Sequence, residues 1–164
     1  MIRLMFLVTC LALSVSPQMP STTDWRGLSP LKSTRMNVEQ TLGFPDRKGD
    51  NQMTYYLPDV AVVFYFSTNP KCEKKLPYDS WNVTSDTVTA IDVSLRHPRL
   101  VAETGFDLRE FKKIEGPSDM VGRYHYVNAD GSFAFEGSDN YVSNYHYQPG
   151  SKQEKRRCER SDQR

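Results

Sequence analysis

Hydrophobic and polar positions change period several times along this chain, and each change marks an element. Between Thr34 and Gly43 the apolar residues Val38 and Leu42 stand four apart, the spacing of one helical face. Thr34, or Ser33 before it, can cap a first turn because its hydroxyl accepts an otherwise unpaired amide. Gly43 can take the left-handed conformation that ends a helix, and Pro45 prevents its resumption. The spacing predicts a short helix over 34–42. From Met53 the period drops to two. "MTYYLPDVAVVFYFS" predicts two strands around Pro58-Asp59, with Val62, Phe64 and Phe66 on one face. "DTVTAIDVSLR" predicts a third, with Thr89, Ile91, Val93 and Leu95 on one face. The polar, proline-punctuated "TNPKCEKKLPYDSWN" between them predicts a long loop. "FDLREFKKI" predicts a second short helix, with Asp107 and Glu110 at capping-box spacing. "RYHYV" and "SFAFE" flank the hairpin signal "NADG", and "YVSNYHY" makes a last strand.

These elements fall into two similar series. Tyr55, Phe64 and Phe66 correspond to Tyr124, Phe133 and Phe135 at one offset, 69 residues (124 − 55). Ile91 and Val93 match Tyr145 and Tyr147 at an offset of 54 (145 − 91), the longer loop of the first series absorbing the difference. The expectation is an α+β fold. An antiparallel sheet of about six strands is built from two helix–strand–strand–strand modules, near 30–95 and 105–147, with short helices on one face.

The first residues change the picture of where the chain works. "MIRLMFLVTCLALSVS" has a positive Arg3, an apolar run from Leu4 to Ala12, and small residues after it, the form of a secretory signal peptide over 1–16. The run is shorter than the ~20 apolar residues of a membrane span. "LVTC" is a poor lipobox, so acylation at Cys10 is not expected. Residues 17–29, polar and rich in Pro and Ser, predict a linker before a domain over 30–158, and 159–164 a mobile tail. Removal of the leader leaves Cys72 and Cys158, an even count that predicts one disulfide in an exported protein. Asn82-Val83-Thr84 matches a glycosylation sequon, relevant only in a eukaryotic secretory pathway. With 164 residues and a formal net charge of +1, the chain has room for one core and lacks the basic excess of a nucleic-acid binder.

Residues 34–45, "TRMNVEQTLGFP", followed by a strand pair, resemble the opening module of the BamE (SmpA/OmlA) outer-membrane lipoproteins. Thr34, Val38, Leu42, Gly43 and Pro45 carry the likeness, which extends over about 34–66. The related tandem-repeat fold is that of β-lactamase inhibitory protein, and the whole chain is similar to small exported bacterial proteins. The resemblance implies a non-enzymatic protein that works by binding other proteins, without a cofactor. An inhibitor of a secreted enzyme is the alternative, and a hydrolase with a dispersed site a more distant one.

The triplet Tyr-His-Tyr occurs twice, around His125 and His146. If the "NADG" turn pairs Tyr124 with Phe135 and Tyr126 with Phe133, both histidines point away from the helix-packed face. They would then sit about 9–10 Å apart across the sheet and roughly 10 Å apart along it, too far to share a metal ion. His97 completes no spaced cluster. No nucleophile elbow, P-loop or dinucleotide fingerprint occurs, so no catalytic residue, metal ligand or cofactor is expected. Alternation leaves Tyr56, Val63, Tyr65, His125 and His146 on the outer face. Tyrosine and histidine there suit a protein interface, because they bury much area and keep a polar handle.

Overall fold

The computed structural model describes residues 21–76, 78–115 and 122–161. The expected leader and Cys10 lie outside them. The first helix forms as its caps predict: α1 spans Arg35–Leu42, the Thr34 hydroxyl accepts from the Asn37 amide, and the Asn37 side chain returns the bond to the Thr34 backbone. Gly43 ends it at φ 82°, and Val38 is its buried residue.

One antiparallel sheet of eight strands follows, rather than about six: β1 (Arg47–Lys48), β2 (Gln52–Tyr56), β3 (Val60–Phe66), β4 (Val88–Leu100), β5 (Phe111–Glu115), β6 (Tyr124–Asn128), β7 (Phe133–Gly137) and β8 (Tyr141–Tyr147). Their spatial order is β1-β2-β3-β4-β8-β7-β6-β5, so two four-strand meanders meet between β4 and β8. The two extra strands are the edges. At β5 the structure replaces the expected second helix. Asp107 accepts from the Arg109 amide and closes only a 3₁₀ turn over Leu108–Glu110. The chain then extends, and Phe111 turns its ring onto Phe133 and Phe135, with centroids 6.2 and 5.2 Å away. Pairing along β6 satisfies a row of backbone groups that a short helix would have left open, and this outweighs a weak helical propensity. A four-residue helix, α2 (Val101–Thr104), stands just before it.

The ladder corrects the offsets read from the sequence. Phe64 faces Met53 on one side and Ile91 on the other. Phe135 faces Tyr126 and Tyr145 in the same way. The equivalences are therefore Phe64 with Phe135, an offset of 71 (135 − 64), and Met53 with Tyr126, an offset of 73 (126 − 53). Ile91 with Tyr145 keeps 54 (145 − 91). The shifts from 69 are even, so each residue kept its predicted face while its register moved. The "NADG" turn is the local cause. Asn128 Oδ1 accepts from the Phe133 amide at 3.0 Å and Asp130 Oδ1 from the Ser132 amide at 2.9 Å, which widens the hairpin and pairs Tyr126 with Phe135.

The core lies on one face of the sheet. Met53, Tyr55, Val62, Phe64, Ile91, Val93, Phe133, Phe135, Tyr145 and Tyr147 are all buried there, with Val38 of α1 in the same cluster. Of the expected linker, the described residues 21–29 contribute to it: Trp25 and Leu28 bond to each other and are buried, and the Trp25 ring meets Phe64 edge-on at 5.8 Å. A satellite cluster of Leu31, Trp81 and Val83 underlies the long loop after β3. There Cys72 is joined to Cys158 across 86 residues, as the cysteine count predicts. Beyond the disulfide the charged tail is engaged, with Glu159 on Lys75 at 2.7 Å and Arg160 on Asp79 at 2.5 Å.

Candidate functional site: the open face of the sheet

Alternation fixes what the second face of the sheet displays. Tyr65 on β3 pairs with Ala90 on β4, Val63 with Asp92, and Tyr56 on β2 with Ala61. Asp92 pairs with His146 on β8, His146 with Ala134 on β7, and Glu136 with both Asn144 and His125. Each of these residues is offset by two from its same-strand neighbours on this face, so all point away from the core. Tyr56, Val63, Tyr65, His125 and His146 thus share one surface. Tyr56 is 45% exposed, and the other four are partly buried by their neighbours.

The histidines are not separated as the sequence suggested. His125 Nδ1 lies 3.3 Å from Glu136 Oε1, and His146 Nε2 lies 3.4 Å from the same oxygen. The wider hairpin puts Glu136 of β7 directly opposite His125, two residues from the strand position opposite His146. One carboxylate thereby lies within 3.4 Å of a nitrogen of each ring. On its other side His146 Nδ1 meets Asp92 Oδ1 at 2.9 Å. The Asn144 amide donates to Glu136 Oε2 at 2.9 Å and steadies the central acid. The result is a chain Asp92–His146–Glu136–His125 running across four strands.

Its electrostatics follow from this order. The Asp92 carboxylate holds the His146 proton and raises the imidazole above its ordinary value; burial opposes the shift and Glu136 adds to it. Tyr65 is pushed up mainly by burial, and further by Asp92 beside it. Such a carboxylate–imidazole pair can orient a base for catalysis when the second ring nitrogen faces a hydroxyl or thiol. Here the second nitrogen instead lies 3.4 Å from another acid, Glu136, and makes no hydrogen bond among the described residues. Among the described residues no group of three or more His, Cys, Asp or Glu side chains is placed to hold a metal ion.

Sequence reasoning found the histidines and tyrosines of this face but missed the two acids that organise them. The available signal was the rarity of acids within strands: Asp92 sits between Ile91 and Val93, and Glu136 follows Phe135, where acidic residues are depleted. No known protein family, curated protein or solved structure matches this chain.

Proposed function

We propose that the chain is an exported, non-enzymatic domain that binds a protein partner through the open face of its sheet. The observation that carries this reading is the placement of Tyr56, Val63, Tyr65, His125 and His146 on one continuous surface opposite the core. Large amphipathic rings in such a surface bury area against a partner while their polar ends keep hydrogen bonds. Asp92 and Glu136 hold two of the rings in place, which lowers the entropy lost on docking. The disulfide is compatible with an oxidising, exported environment, and no helix among the described residues is long and apolar enough to cross a membrane. The BamE-like character of residues 34–66 points the same way and suggests envelope assembly as the process served.

The test is capture from a periplasmic extract with immobilised wild type, Tyr65→Ala, His125→Ala and Glu103→Ala, the last on the exposed surface of α2. One protein held by wild type and Glu103→Ala, and lost at least tenfold by the two face variants, is the expected result. Equal capture by all four chains refutes the reading.

A further inference from the structure

A cleft of about 340 Å³ opens beside Tyr65, where the ends of β3, β4 and β8 meet the disulfide-tethered loop. We propose that it binds a neutral saccharide. Rings come from Tyr65 and Tyr78, Trp81 being buried with its ring under the Arg157 guanidinium at 5.0 Å, and uncharged polar groups from Asn51, Thr68 and Gln148. A pyranose presents C–H-rich faces bordered by hydroxyls. Aromatic faces accept the first, and side-chain amides and hydroxyls, which both donate and accept, match the second.

Charge is spent within the protein. The two ionised residues of the lining, Asp79 and Arg157, meet at 3.1 Å, Arg157 also meets Glu154 at 2.9 Å, and Arg160 takes the other Asp79 oxygen at 2.5 Å, two guanidiniums against two carboxylates. No net charge remains to select an anion or a cation. Hydrogen-bonding capacity, by contrast, is unspent. The side chains of Asn51 and Thr68 are exposed and make no hydrogen bond among the described residues, and Gln148 uses only its Nε2, on the Gly131 carbonyl at 2.8 Å. In the floor, Ser67 is 7% exposed and its hydroxyl has no partner among the described residues. An apolar ligand would leave these groups unsatisfied at a cost of about 1–3 kcal/mol for each one buried, whereas a polyol pairs them. The volume lies at the small end of the range of about 300–1,000 Å³ found for ligand sites, consistent with one or two sugar rings.

The disulfide gains a role in this reading. The wall over residues 78–81 is tied to the far end of the chain by the Cys158 amide on the Ser80 carbonyl at 2.9 Å and by the Asn82 amide on the Arg156 carbonyl at 2.7 Å. Cys72–Cys158 holds those two segments together. It shapes the cleft as well as stabilising the fold.

The experiment is a glycan array carrying neutral cello-, xylo-, malto-, chito- and galacto-oligosaccharides beside sialylated and sulfated glycans, followed by calorimetric titration of the best neutral ligand. Binding to a neutral class is expected. Tyr78→Ala and Asn51→Ala should each weaken it tenfold or more, and both positions are exposed, so the fold tolerates them. Cys72→Ser should weaken it as well, while Glu103→Ala, on the exposed surface of α2 outside the cleft, leaves it unchanged. Binding to charged glycans alone, no glycan binding at all, or a neutral ligand indifferent to Tyr78→Ala and Asn51→Ala overturns the proposal. None of these outcomes depends on whether the open face binds a protein.

Discussion

Tyr145 offers a prediction with an unusual sign. Its ring is part of the core, stacked near Phe133 at 6.1 Å and edge-on to Phe106 at 6.1 Å, and the residue is 4% exposed. Its hydroxyl is buried with no hydrogen-bond partner among the described residues. Desolvating such a group without compensation costs about 1–3 kcal/mol, whereas the ring contributes through area and dispersion whether or not the oxygen is present. Tyr145→Phe removes the oxygen alone. Against the gain stands the loss of a few dispersion contacts, about 0.1–0.2 kcal/mol each. The net expectation is a stabilisation of about 1–2 kcal/mol, or a rise in Tm of roughly 3–6 °C for a domain of this size. Tyr55 is the natural control, since its hydroxyl, pushed up to about 12 by burial, donates to the Gly43 carbonyl at 3.1 Å at the end of α1. Tyr55→Phe should destabilise by about 0.5–1.5 kcal/mol. Urea unfolding of both variants, with unchanged m-values, gives the comparison. A fall in stability of Tyr145→Phe equal to that of Tyr55→Phe would refute the reasoning, because it would mean that the Tyr145 hydroxyl is paired in solution.

Four further outcomes follow from the same geometry. Replacing Cys72 and Cys158 by serine frees a loop of 86 residues, and the chain-entropy relation gives a loss of about 4–5 kcal/mol, measurable as a lower urea midpoint. Phe135→Ala removes a ring stacked on Tyr126 at 4.7 Å and on Phe106 at 5.2 Å, and should cost about 3–5 kcal/mol; a loss under 1 kcal/mol would place that ring outside the core. Gly137→Ala drives a Cβ into the Tyr141 carbonyl oxygen, so the β7–β8 hairpin must move its backbone; soluble, cooperatively unfolding protein at wild-type stability would contradict this contact. For His146 the raised folded pKa means that its protonated ring contributes stability below the ordinary histidine value and loses it as pH rises through the folded pKa. Asp92→Asn removes the largest cause, so the His146 imidazole, followed by NMR, should titrate at lower pH, and an unmoved titration would show that Asp92 does not hold its proton.

Local chemistry determined the parts of this fold that depend on neighbours in sequence. The cap at Thr34 and stop at Gly43 delimit α1, because the bonds that close a helix end lie within a few residues of it. Period-two alternation assigned Val62, Phe64, Ile91, Val93, Phe133, Phe135, Tyr145 and Tyr147 to the core face and Tyr56, Val63, Tyr65, His125 and His146 to the other, since strand geometry permits no other division. The tertiary structure decided what alternation leaves open. Whether "FDLREFKKI" coils or extends depended on the unpaired edge of β6, a partner distant in space. Trp25 and Leu28 entered the core because the sheet presented an apolar face for them to cover, in a segment whose composition reads as a linker. Register decided the rest. A shift of two residues leaves every side chain on its predicted face but changes its neighbour, and that shift brings Glu136 between His125 and His146 and turns two separate histidines into one acid–imidazole chain.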